Sequence, residues 1–148
     1  MIRELKAEEV ESITHMGESF FAEGKLPGSF KSDVFIKTWT NLITLRMGLI
    51  LVACNGSNEP VGALGAIITP DVNDGEIVAQ EAFWFMSPEA RGSFAGARLL
   101  DAFEKIAQDK GAKRLIMVHL LSLNADKLGK FYERMGYRAT EVNFVKIV

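Results

Sequence analysis

The sequence predicts an α/β fold, a mixed sheet with helices on both sides, in the order β-α-α-β-β-β-α-β-α-β. Three observations carry this reading. Two segments of helical period open the chain after a short strand-like stretch. Three apolar runs joined by turn-rich loops then read as antiparallel strands. After Pro88 the order changes to strand, helix, strand, a step that implies a parallel, right-handed crossover. With 148 residues the chain is expected to form a single domain over 1–148, large enough for a core of its own.

"MIREL" opens as a short strand with Ile2 and Glu4 facing away from Arg3 and Leu5. From Ala7 to Ala22 the residues Val10, Ile13, Phe20 and Phe21 follow helical spacing, and "EGKLPGS" breaks that helix. Phe30 to Met47 forms a second helix with Val34, Phe35, Trp39, Leu42, Ile43 and Leu45 largely on one side. Ser32 is its candidate N-cap and Gly48 its stop. "LILVAC" (49–54), "VGALGAIIT" (61–69) and "IVAQEAFWFM" (77–86) are strands separated by "NGSNEP" and "PDVNDGE". The small residues of the middle strand predict close packing against a neighbour. Residues 93–110 carry Leu99, Leu100, Phe103, Ile106 and Ala107 on one helical stripe, ended by Gly111. "KRLIMVHLL" is a strand, "DKLGKFYERM" a shorter helix closed by Gly136, and "YRATEVNFVKIV" a final strand.

Composition narrows the function. The chain is 48% hydrophobic and 24% charged, with 17 basic and 19 acidic side chains and a net charge of −2. No basic stripe marks a nucleic-acid partner, and none is expected. Cys54 is the only cysteine, so no internal disulfide and no cysteine-based metal site are expected, which suits a reducing cytoplasm. "MIRELKAEEVESI" lacks a signal peptide's apolar core, and "GLILVAC" is too short to cross a bilayer. These features predict a cytoplasmic protein with no membrane partner and no bound metal.

The stretch "RGSFAGARLL" (91–100) lies between a strand and the strongest helix. Glycines ahead of a helix let the backbone close around an anion, and the helix N-terminus offers unpaired N–H groups. The local pattern alone fits equally a plain strand-to-helix turn. It is neither a Walker loop nor a dinucleotide fingerprint, since both glycine spacings fail.

Taken with "FYERMGYR" (131–138), the stretch "MSPEARGSFAGARLL" resembles the GNAT superfamily of acyl-CoA-dependent N-acetyltransferases. Arg91 and Gly96 match the first and last positions of that family's glycine-loop motif, behind the lead-in "MSPEARG". Phe131, Tyr132, Glu133, Gly136 and Tyr137 match its later helix motif. Three positions depart. Phe94 replaces the middle glycine, Leu128 replaces the usual alanine, and Asn124 lies eight residues before Tyr132, one more than usual. The order of elements matches along the whole chain. The first helix and loop also resemble those of short phage-encoded members, which would place the protein in a host cytoplasm.

The resemblance implies two central parallel strands that splay apart to admit acetyl-CoA. Its pantetheine would pair with the backbone at Phe85 and Met86. Its pyrophosphate would rest on the main chain of Gly92, Ser93, Phe94, Ala95, Gly96 and Ala97, with Arg91 at the rim and Asn124 on the cofactor side. The Phe94 ring would cover the cofactor or the adjacent helix. The implied reaction is direct attack of a primary amine on the thioester, with no covalent enzyme intermediate. Such chemistry needs a proton acceptor and a donor to the departing thiolate. Tyr132 matches the family's donor. Glu81, a carboxylate inside an apolar strand, is either a buried base of raised pKa or a strand residue on a solvated face. Glu76 and His119 are weaker candidates, His15 reads as a surface residue, and Cys54 lies away from the expected wedge.

The acceptor, a small-molecule or protein amine, would meet the first two helices, where Glu18 and Glu23 could face a cation. The rival expectation is a GNAT-fold protein that binds CoA or a partner with little or no turnover. The strand-rich C-terminus admits a homodimer.

Overall fold

The computed structural model describes residues 1–148. Five strands form one sheet in chain order: β1 (Ile2–Glu4), β2 (Gly48–Cys54), β3 (Pro60–Pro70), β4 (Ile77–Met86) and β5 (Arg114–Ile116). The first four are antiparallel neighbours, and β5 lies parallel to β4. A 3-10 helix (Ala7–Ile13) continues into α1 (Thr14–Glu23), followed by α2 (Ser32–Thr44), α3 (Ala95–Asp109) and α4 (Ala125–Arg134). Lys31, not Ser32, holds the N-cap position of α2, and Gly48 opens β2 after the helix has ended at Thr44.

The continuous apolar run of β2 has a physical reason: both faces of the sheet are covered. On one face Ile50 and Val52 pack with Val10, Ile13, Met16, Trp39, Phe83 and Phe85 beneath α1 and α2. On the other, Leu49, Leu51 and Ala53 pack with Leu99, Leu100, Phe103 and Ala107 of α3 and Tyr132 of α4. The expected close packing of β3 is also present. A Cβ on Gly65 would collide with the ring of Phe83, its partner across the ladder.

At that point the register shifts. Gly65 pairs with Phe83 but Ala66 pairs with Glu81, so Ala82 is an extra residue in β4. The bulge reverses the alternation of faces. Ala79 and Trp84 both pack on the α3 side, whereas Phe83 and Phe85 lie on the α1–α2 side. Strict alternation would put Glu81 with Phe83. The bulge instead leaves it on the side of Ala79 and Tyr132.

Two expected strands differ from their predicted extents. β5 pairs with β4 only over Arg114–Ile116, shorter than "KRLIMVHLL", because Val118 turns its N–H to a side chain. The final strand does not form. Past the end of α4 the chain turns at Gly136 (φ +93°), and the N–H of Tyr137 closes on the carbonyl of Tyr132 at 3.0 Å. Beyond it, residues 138–148 make no hydrogen bond with the rest of the chain. A strand exists only as part of a ladder, and this segment has no partner strand within the molecule.

Candidate active site at the β4–β5 fork

β4 and β5 pair for three residues and then part. β4 runs on through Ala82–Met86 with β3 on one side and no strand on the other. The gap opens onto a cavity of about 430 Å³ between the end of β4, the end of α1 and α4. Trp84, Phe85, Met86 and Arg91 form one wall, Leu123, Asn124, Lys127, Leu128, Phe131 and Arg134 the other, and Phe20 and Glu23 of α1 close an end. Helical spacing puts Lys127, Phe131 and Arg134 on one stripe of α4.

Of the site residues expected from sequence, the cavity gathers Phe85, Met86, Arg91 and Asn124. Asn124 takes left-handed backbone angles (φ 40°, ψ 41°) at the N-cap of α4. Arg91 is held at three points. Its Nε donates to the Met86 carbonyl at 2.8 Å, its Nη2 donates to both oxygens of Glu23 at 3.0 and 2.9 Å, and its guanidinium lies 5.3 Å from the Phe85 ring centroid. It therefore ties the end of β4 to α1.

The glycine loop borders this wall without lining it. Gly92 has φ +80°, a conformation that side chains resist. Ser93 Oγ donates to the Ala90 carbonyl at 2.6 Å and accepts from the Ala95 N–H at 3.2 Å. The N–H groups of Gly92, Ser93, Phe94, Gly96 and Ala97 have no acceptor within the chain. Phe94 occupies the N-cap of α3 with ordinary negative φ, so its side chain does not distort the turn. Its ring is 83% exposed and covers no helix, contrary to one of the two placements expected for it.

Glu81 and Tyr132 sit one layer behind the cavity. Glu81 is 5% exposed, which rules out the solvated-face alternative. Its Oε2 accepts the Val118 N–H at 2.9 Å and lies 3.5 Å from the Tyr132 hydroxyl, which also donates to the Val118 carbonyl at 3.1 Å. The carboxylate thus plugs the fork, taking the N–H that a longer β4–β5 ladder would have used. Burial pushes its pKa from 4.5 to about 7, with the hydrogen bonds from Val118 and Tyr132 opposing the shift. Burial, and then the neighbouring Glu81 charge, push the Tyr132 phenol well above its ordinary value. Its ring lies 6.3 Å from Trp84 and 6.1 Å from Phe131, both cavity residues.

Glu76, His15 and His119 are exposed, and Cys54 is buried on the α1–α2 side. No cluster of three or more His, Cys, Asp or Glu residues has metal-binding geometry. No helix is long and apolar enough to cross a membrane.

Residues 14–137 match the family described as "Acetyltransferase (GNAT) family". The chain belongs to the GNAT acetyltransferase family. No curated protein matches it significantly. Among solved structures it is similar to a transcriptional regulator from Bacillus halodurans C-125, at 21% identity and a TM-score of 0.80, covering 100% of this chain and 99% of the other. It is similar to a ribosomal-protein-alanine N-acetyltransferase from Brucella melitensis biovar Abortus 2308, at 18% identity and a TM-score of 0.73, covering 100% and 99%. An aminoglycoside acetyltransferase from an uncultured soil metagenomic sample gives 15% identity and a TM-score of 0.79, covering 100% and 95%. At these identities the likeness concerns the fold alone. GNAT membership carries acetyl transfer in general, with acetyl-CoA as the family's usual cosubstrate.

The site residues in this GNAT chain fit such a cosubstrate. Three cations, Arg91, Lys127 and Arg134, face the cavity against one acid, Glu23. Five free amides adjoin it at the start of α3. Trp84 Nε1 is the one buried side-chain nitrogen or oxygen without a hydrogen-bond partner, and its ring borders Gly96. Sequence reasoning missed Trp84, Lys127, Phe131 and Arg134 as cavity residues. The i, i+4, i+7 stripe of α4 was the available signal for the last three.

Proposed function

We propose that this protein transfers an acetyl group from acetyl-CoA directly to a primary amine at the β4–β5 fork. The observation that carries the reading is the opening of β4 from β5 onto a cationic cavity bordered by five unpartnered amides. Anion binding at such a helix start needs main chain only, so the Phe94 side chain does not preclude it. Arg91 would exchange Glu23 for a phosphate oxygen, with Lys127 and Arg134 adding charge along the opposite wall. The open edge of β4 near Phe85 would hold the extended pantetheine arm, and Asn124 would border it from the N-cap of α4.

In this mechanism Glu81, one layer behind the cavity, accepts the proton lost by the attacking amine through one intervening water. A carboxylate of pKa about 7 is half ionised near neutrality and is a stronger base than an exposed one. Tyr132 stays neutral throughout the working range, because its phenol is shifted upward. It serves as hydrogen-bond donor to the leaving sulfur, turning its hydroxyl from the Val118 carbonyl. Its contact with Glu81 gives the proton a route to the departing thiolate, so each turnover returns Glu81 to its starting charge. Once Arg91 is drawn to phosphate, Glu23 becomes a free carboxylate at the α1 end of the cavity, suited to a cationic acceptor. That acceptor is either a small molecule or a protein amine.

Calorimetric titration with acetyl-CoA, followed by thiol release across a panel of amines, tests the proposal. Binding with amine-dependent release is expected. No detectable binding would overturn it. Binding without release would favour the second reading, a CoA-binding protein with little turnover, which the burial of Glu81 and Tyr132 behind the cavity wall supports.

A further inference from the structure

We infer that the acceptor is a small diamine or similar dication, whose second cationic group is held by Glu23 and the face of Phe85 while its first amine is acetylated. This rests on the fork being an acetyl-CoA site and names the class of acceptor. A cation already stands in that place. It is the chain's own Arg91, whose Nη2 donates to both oxygens of Glu23 at 3.0 and 2.9 Å and whose guanidinium lies 5.3 Å from the Phe85 ring centroid. Its Nε donates to the Met86 carbonyl at 2.8 Å. Each group that meets the guanidinium is thus a hydrogen-bond acceptor or an aromatic face, a set that favours cations over neutral or anionic groups.

The backbone around Glu23 strengthens that preference. Glu23 is the last residue of α1, an end where the helix carbonyls favour positive charge, yet the last turn of α1 contains no basic residue. An acid at that end is unfavourable alone, and the cation that offsets it comes from 68 residues away. Glu23 also keeps its place without Arg91. The carbonyl of Gly24 accepts from Ser122 Oγ at 2.8 Å, its N–H donates to the Phe20 carbonyl at 2.9 Å, and a Cβ on Gly24 would collide with Leu120. The end of α1 is therefore pinned to the loop after β5. Phe20, one turn before Glu23, lines the same cavity and offers apolar surface to a methylene chain.

Without cosubstrate, Arg91, Lys127 and Arg134 outnumber Glu23 at the cavity and repel a further cation. The phosphates of acetyl-CoA draw Arg91 away and offset the other two charges, which leaves Glu23 and the Phe85 face without a cation. The distal ammonium of the acceptor takes the place of Arg91 there. Its other nitrogen, as the neutral amine, forms the N–C bond while the C–S bond breaks, and the proton passes to Glu81 and on to the thiolate. The product keeps one cation and one neutral amide. Rebound with its remaining amine at the thioester, it has only the amide to offer Glu23, so a second acetylation is disfavoured. The ion-pair site and the fork share one cavity of about 430 Å³, a volume suited to a small molecule.

Thiol release by the full chain at saturating acetyl-CoA, with α,ω-diaminoalkanes of three to six carbons each set beside the n-alkylamine of the same length, tests the inference. At least one diamine should exceed its monoamine in kcat/KM by about tenfold or more. Mass spectrometry should show the monoacetylated diamine accumulating. Glu23→Gln should bring the diamine-to-monoamine ratio to within about threefold of unity, through the diamine KM and not kcat, and Glu23→Asp should restore part of it. Because the ratio compares two substrates on one variant, altered folding or cofactor affinity cancels. A wild-type ratio near one, a ratio that survives Glu23→Gln, or a lysine-containing peptide acetylated in preference to every diamine would overturn the inference and leave acetyl transfer standing. Failure to release thiol with any amine would overturn both.

Discussion

Replacing Glu81 by Gln separates the buried carboxylate's charge from its shape. Gln keeps an oxygen for the Val118 N–H and does not titrate. In the folded protein the carboxyl has a pKa of about 7, against 4.5 for a free side chain. Between those values the native state holds a proton that the unfolded state has released, so stability falls as pH rises through this window. At about 1.4 kcal/mol per pH unit, the stability lost between pH 4.5 and pH 8 is about 3 kcal/mol. The unfolding free energy of the wild type minus that of Glu81→Gln should therefore drop by about 3 kcal/mol from pH 4.5 to pH 8, levelling above pH 7. Urea unfolding followed by circular dichroism at five or six pH values measures this difference, in which the other carboxylates cancel. A difference that is flat with pH, or rises, would refute the argument that burial governs this group. The same titration should appear as an ascending limb near pH 7 in kcat/KM, lost in Glu81→Gln together with roughly 100-fold or more of the rate.

Tyr132→Phe should lower kcat by about tenfold to a thousandfold while leaving acetyl-CoA affinity within about twofold. An unchanged kcat would remove the phenol from the reaction. Arg91→Glu should weaken acetyl-CoA binding by about tenfold or more, and Glu23→Gln, by releasing Arg91 from a partly exposed ion pair, should tighten it by up to about fivefold. Titration calorimetry reads both, and the pair of opposite signs is the signature. Phe94→Ala should leave thermal stability unaltered, since the ring is exposed, but change acetyl-CoA affinity if the ring covers the cofactor.

Much of this protein could be read from the order of its residues. The 3.6-residue stripe of Leu99, Leu100, Phe103 and Ala107 specifies α3 and the face it buries, because helical spacing is local geometry. The loop "RGSFAGA" indicates a glycine turn opening a helix, and with "FYERMGY" it indicates the family. Arg91, Phe85, Met86 and Asn124 could be assigned to one site on that basis, and all four line one cavity.

Other features depended on distant parts of the chain meeting. Period-2 alternation puts Glu81 with Phe83; the bulge at Ala82, next to the point where the Phe83 ring fills the space over Gly65, turns it toward Tyr132. Its raised pKa follows from that burial and from Val118, 37 residues away. The partnership of Arg91 with Glu23 spans 68 residues and no local pattern encodes it. The last strand makes the same point in reverse. "TEVNFV" has the composition of a strand, but a strand needs an edge to pair with, and in the single chain that edge and the segment do not meet. Local sequence determines which backbone conformations are favoured; only tertiary structure decides which hydrogen-bonding groups find each other.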